Sequence, residues 1–201
     1  MTDLTRAAAL ALAIALAGAP AAAAPKFEAS VTRFHSSAPA AGTTLFVEAP
    51  EGDTATLEQA AHLAAIADAL AAAGFLIVPT REEASLVAVP RYQQRLREAP
   101  PKRSPVSIGI GGGSFGRSGG VSLGTSFGIG GKKSGEIATS TLELQLRDVA
   151  GNAVWEGRAE TEAYSDDKRA PLAAAIPALA RALLHDYPGS PGTTVRYKDG
   201  K

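Results

Sequence analysis

Leu142, Leu144 and Leu146 alternate without a break with Glu143, Gln145 and Arg147. Side chains along a strand point to opposite faces in turn, so this run describes a strand with one face buried and one face in water. A sheet with one covered face must therefore exist, and the rest of the chain must supply the cover. The alternating run extends from Thr139 to Asp148, and a second run, Ala153 to Tyr164, follows Ala150-Gly151-Asn152. The pair reads as a hairpin.

Two segments carry helical periodicity instead. Thr56 and Gln59 have the spacing of a capping box, and a helix over 57–73 follows, with Leu63, Ile66, Ala67 and Leu70 on one stripe. Gly74 is placed to close it in the left-handed conformation. A second helix is expected from a cap at Asp166 or Asp167 to about His185, with Leu172, Ile176, Leu179, Leu183 and Leu184 inward. Pro177 deletes one N–H bond and predicts a kink or a restart. Tyr187-Pro188-Gly189 ends that helix, and residues 189–201 are expected to trail as a flexible tail.

Four further stretches are β-prone. Phe27 to Phe34 alternates raggedly, with Ala29, Val31 and Arg33 in one row, as in a strand near an edge. Thr44 to Ala49 is a second strand, closed by Pro50. Gly74 to Pro79 is short and apolar enough to be central, with Ala84 to Pro90 as its neighbour. Pro90, Pro100, Pro101 and Pro105 bracket a charged, loop-like stretch. The predicted class is α+β: a largely antiparallel mixed sheet with two helices packed on one face. At 201 residues there is room for one such domain, over 25–188.

Ahead of it, Arg6 precedes the apolar run Ala7–Ala17, Gly18 and Pro20 break the helix, and Ala22-Ala23-Ala24 precedes Pro25. That order of parts is a secretory signal over 1–24, with cleavage expected near Ala24. The apolar run is too short for a membrane span. Export out of the cytoplasm is what this implies. The chain has no cysteine, which excludes a disulfide framework, a thiol nucleophile and lipid attachment at a cysteine. Lys plus Arg and Asp plus Glu number 20 each, and loss of Asp3 and Arg6 with the leader leaves 19 of each. No global field favours nucleic acid or an anionic membrane.

Several phrases in order resemble a bacterial envelope family known as domain of unknown function 4136. They are Gly74-Phe75 after an alanine-rich helix, the strand Ser85 to Val89, a glycine-rich insert, Leu142 to Asp148 running into Val154 to Ala159, and Leu183 to Pro188. The resemblance spans most of 27–188 and implies a periplasmic or outer-membrane-associated domain. Many members of that family are lipoproteins, and the absence of cysteine departs from that pattern.

The glycine-rich insert, 106–131, invites three ligand readings that its chemistry argues against. Gly111, Gly113 and Gly116 fit a dinucleotide fingerprint, but no helix-forming sequence follows to present N–H groups to a pyrophosphate. Gly131-Lys132 is followed by Lys133 rather than Ser or Thr, which fails a phosphate loop. Gly112, Gly116, Gly120, Gly124 and Gly128 recur every fourth residue like a membrane glycine zipper. Each glycine, however, costs a helix ~1 kcal/mol, and Arg117 would sit near the middle of the span. A β-hairpin fits better, because Val106, Ile108 and Ile110, then Val121, Leu123, Thr125, Phe127 and Ile129, alternate with small residues. Phe115 and Arg117 at its tip are the expected partner surface.

No catalytic set emerges. His35, His62 and His185 have no metal-site spacing and read as surface or capping residues. His185-Asp186 lacks a Gly-x-Ser-x-Gly elbow to complete a triad. Glu82-Glu83 and Asp166-Asp167 are read as a solvated turn and a helix cap, and Trp155 as a core anchor. The expectation is a non-enzymatic envelope module that binds or assembles with an envelope protein, without cofactor or metal. The alternative is a carrier or sensor of a small apolar ligand held between sheet and helices.

Overall fold

The computed structural model describes residues 27–50, 56–99 and 135–199. The leader with Ala24, and the glycine-rich insert with Phe115 and Arg117, lie outside the described residues. Strands β1 (Glu28–His35), β2 (Thr44–Val47), β3 (Leu76–Ile77), β4 (Leu86–Glu98), β5 (Glu136–Asp148), β6 (Ala153–Tyr164) and β7 (Thr194–Lys198) form one sheet in the order β3-β2-β4-β5-β6-β1-β7. β2 runs parallel to β3 and β4, and every other pairing is antiparallel. Helices α1 (Leu57–Ala72) and α2 (Leu172–Leu184) pack on the sheet, α2 over β1, β5 and β6, and α1 beside α2 and against β2 and β3. This is the α+β class the alternation predicts. No helix among the described residues is long and apolar enough to cross a membrane.

The strict leucine alternation does what its period requires. Leu142, Leu144 and Leu146 are fully buried in one cluster with Ala29, Val31 and Leu45 of the sheet and Ile66, Leu70, Ile176, Leu179 and Leu183 of the helices. At the end of the hairpin the Gly151 N–H donates to the Asp148 carbonyl at 2.9 Å. Leu146 pairs with Trp155 and Arg147 with Ala153, so Val154 is a bulge that sets the register of everything beyond it.

Thr56 caps α1 by accepting from the Gln59 N–H at 3.1 Å. At the other end Gly74, at φ +101°, donates its N–H to Ala71, and Phe75 donates to Leu70, a complete Schellman closure. That closure turns Phe75 into the core, where it is 3% exposed.

Several expectations need correcting. The run Gly74 to Pro79 is not a central strand: only Leu76–Ile77 pairs, at the sheet edge, and both side chains are exposed. Phe75 takes the apolar duty as the end of α1, and a short apolar run cannot distinguish these roles by period. The stretch after Pro90 is not a loop, since β4 continues to Glu98 opposite β5. Ala88 turns its carbonyl to the Glu48 N–H at 2.9 Å. Pro90, two residues on, faces the same side, beyond the end of β2, so its missing N–H removes no rung to β5.

The tail supplies an edge strand, because Thr194–Lys198 pairs antiparallel with β1. α2 is not capped by Asp166 or Asp167: Pro171 holds the N-cap position, and the Asp167 carboxylate instead takes the Arg169 Nε–H at 2.9 Å. That hydrogen bonding by Arg169 holds the Asp167 carboxyl below the usual carboxylate range. α2 runs through Pro177 without a restart. Finally, His62 is buried on the inner side of α1 rather than on the surface.

Candidate interaction surface

Where α2 ends, the phrases that carry the family resemblance meet. Arg33, placed in the inward row of β1 by the alternation, is 6% exposed. It donates from Nε to the Leu183 carbonyl at 2.8 Å and from Nη2 to the carbonyls of Ala182 at 3.2 Å and His185 at 2.5 Å. These are carbonyls that the last turn of a helix leaves unpaired, and a cation is the favoured partner there. Burial lowers the Arg33 pKa, and the nearby Asp186 carboxylate opposes that shift.

Trp155, fully buried, donates its indole N–H to the Pro188 carbonyl at 3.0 Å. The Tyr187 ring lies 5.2 Å from Phe75 and 5.5 Å from Trp155, and its hydroxyl donates to the Pro39 carbonyl at 3.1 Å. Burial pushes that phenol up to about 12. Gly157 is required beside them, because a Cβ there would stand 2.5 Å from the Trp155 ring and 2.7 Å from Leu183. The phrases Val154 to Ala159 and Leu183 to Pro188 thus form an interlocked packing unit.

A cleft of about 510 Å³ opens beside this unit, between the end of α2 and β7, with Arg33, His185, Asp186, Ser190 and Tyr197 in its walls. His185 Nδ1 lies 2.9 Å from the Asp186 carboxylate, both well exposed, and its ring rests 5.2 Å from Tyr197. His35 contacts the Gly189 carbonyl at 3.0 Å. His62 stands on α1, edge-on to Tyr92 at 5.0 Å, and neither ring nitrogen has a hydrogen-bond partner among the described residues. Glu82 and Glu83 lie exposed on a single 3₁₀ turn, and Trp155 is the core anchor its sequence setting predicts. Among the described residues no group of three or more His, Asp and Glu could hold a metal ion.

The outer face of the sheet differs in kind, since no described helix or strand lies over it. Its side chains pair laterally: Arg97 with Glu162 at 3.0 Å, Arg158 with Glu160 at 2.9 Å and with Glu143 at 3.3 Å, and Lys198 with Glu28 at 2.7 Å. Thr32 and Thr194 join their hydroxyls at 2.7 Å. Three shallow cavities run along this face, of about 340, 240 and 190 Å³, and Arg91 forms part of the wall of each. Arg91 and Arg147 were not singled out by sequence reasoning. The available signal is parity, since both occupy the polar row of their strands.

These features define an α+β domain with one covered sheet face, an interlocked structural unit at the end of α2 and an open polar face bearing grooves. The chain belongs to the family described as domain of unknown function (DUF4136), whose model matches residues 31–189. No curated protein matches it. Two solved structures of the PelC dodecamer from Paraburkholderia phytofirmans are similar to it. One shows 17% identity at a TM-score of 0.45 and the other, a point variant, 15% at 0.43, each alignment covering 78% of this chain and 94% of that one. A PDZ domain protein from Parabacteroides distasonis aligns at 11% identity and a TM-score of 0.42, over 86% of this chain and 39% of that one.

Proposed function

We propose that this domain is exported and serves in the cell envelope as a non-enzymatic interaction or assembly module, docking a protein partner on the outer face of its sheet. The observation that carries the reading is that face itself: it is grooved and polar, and it has no described element over it, while the opposite face is fully occupied. The secretory pattern of residues 1–24 supports the compartment. The alternative of an apolar ligand between sheet and helices meets a core in which Trp155, Leu142, Leu144, Leu146, Leu179 and Leu183 already fill the space.

A photo-crosslinking residue at Gln93 or Glu156, on the outer face, tests this in cells, with Ala64 on the exposed side of α1 as the comparison. The expected result is a discrete adduct from the periplasmic fraction at the outer positions and none at Ala64. Equal labelling at all three, or a chain that stays in the cytosol with its leader attached, rejects the reading.

A further inference from the structure

The ion pairs of the outer face leave a pattern of charge that is not uniform. Arg97 and Arg158 have carboxylate partners, whereas Arg91 has neither a hydrogen bond nor an ion pair among the described residues. Glu143, opposite Arg91 in the β4–β5 register, is engaged by Arg158 at 3.3 Å. Arg147 is held without being neutralised: its Nε and Nη2 donate to the Gln145 amide oxygen at 3.1 and 2.6 Å, and the Gln145 amide in turn donates to Glu156 at 2.9 Å. Both arginines line the 340 Å³ groove, whose carboxylate, Glu48, is occupied by Arg81. Val89 provides apolar surface in the same groove, beside Ala49 and Pro50.

An arginine with no carboxylate partner among the described residues is a ready receptor for one, which a guanidinium can bind through two parallel N–H bonds. Arg91 and Arg147 both line this groove and the adjoining cavities meet at Arg91, so the shape suits an extended chain laid along β4 and β5; the walls of those cavities also carry Glu143 and Glu156, which Arg158 and Gln145 already engage. We infer that the Arg91–Arg147 groove binds an acidic, extended segment of a protein partner in which carboxylates alternate with apolar residues. This deepens the docking reading above and rests on it. The chain has no net charge, so attraction must come from this local pair.

The test is a fluorescence anisotropy titration of the full chain, without its leader, against a labelled peptide of alternating Glu and Val at low and moderate salt. Binding is expected to weaken with salt. Arg91→Gln and Arg147→Gln should each weaken it about tenfold, the factor equivalent to one charge-assisted hydrogen bond. Arg97→Gln, which removes a cation already paired with Glu162, should leave binding unchanged. Unaltered thermal midpoints establish that the variants are folded. Failure of the peptide to bind, binding by the Arg91→Gln and Arg147→Gln chains as tight as that of the unaltered chain, or equally tight binding of a single-stranded oligonucleotide of the same charge overturns the inference. The crosslinking experiment separates the two levels. Adducts that persist at Gln93 and Glu156 in the Arg91→Gln/Arg147→Gln chain leave docking intact and remove the acidic partner, whereas their absence in the unaltered chain removes docking itself.

Discussion

On the inner face of the sheet, Leu142, Leu144, Leu146 and Trp155 have lost essentially all their exposure to two helices, and the buried cation beside them, Arg33, spends its donors on three main-chain carbonyls. One residue further along the same strands, Glu143, Gln145, Glu156 and Arg158 stand on the other face and bond sideways to one another. Burial of apolar surface contributes kilocalories per side chain, while exposed ion pairs contribute about 0–1 kcal/mol each. The comparison teaches that stability is concentrated on one side of a single layer, which leaves the other side free to be chosen for recognition.

That division can be attacked with substitutions of decreasing expected effect. Trp155→Ala removes the largest buried ring and should cost ~3–5 kcal/mol in a denaturant titration; a loss below ~1 kcal/mol would mean the core is not organised around it. Next in size is Arg33→Met, which keeps the apolar stem and abandons the carbonyls of Ala182, Leu183 and His185. A destabilisation of ~2–3 kcal/mol is expected from those unsatisfied acceptors, measured with the same titration, and a neutral result would show that water replaces the guanidinium.

His62→Leu should have the opposite sign. Two buried ring nitrogens without hydrogen-bond partners among the described residues, one of them 3.9 Å from the Glu58 carboxylate, are exchanged for an apolar side chain of similar size, and a gain of ~1 kcal/mol in the unfolding free energy is expected. A loss would show that His62 contributes through its ring contact with Tyr92. Smallest of all is Arg158→Ala on the outer face. Its pairs with Glu143 and Glu160 are half exposed, so stability should move by less than ~1 kcal/mol; a larger change would break the contrast between the faces.

How much of this was legible in the chain depends on how local the signal is. The β5–β6 hairpin, the stripes of both helices and the Gly74 closure follow from side-chain period and one left-handed glycine, which act over a few residues. The places where expectation and structure part are those where distant segments decide. Nothing near Pro90 reveals that its neighbour on one side, β2, has already ended. Nothing near Thr194 reveals that β1 offers it an edge. His62 looks like any helical histidine until Tyr92, thirty positions on, arrives against it. Arg33 stood in the inward row of its strand, yet only the end of α2 explains why a cation belongs there.

The candidate surface shows the same limit. Parity places Arg91 and Arg147 on the polar face, but whether a given arginine is neutralised depends on pairings across strands, and those depend on register. The bulge at Val154, which sets Glu156 and Arg158 against Gln145 and Glu143, is invisible in an alternating pattern.

By itself, then, the amino-acid order determined the β5–β6 hairpin with its dry side and the two helices that cover it, because hydrophobic periodicity is a property of neighbours along the chain. Strand order, the two sheet edges, the burial of Arg33 and His62, and the distribution of paired and unpaired arginines were decided only on folding. Those features depend on the relative positions of residues far apart in sequence, and the free energy that selects them exists only once the sheet has closed against its helices.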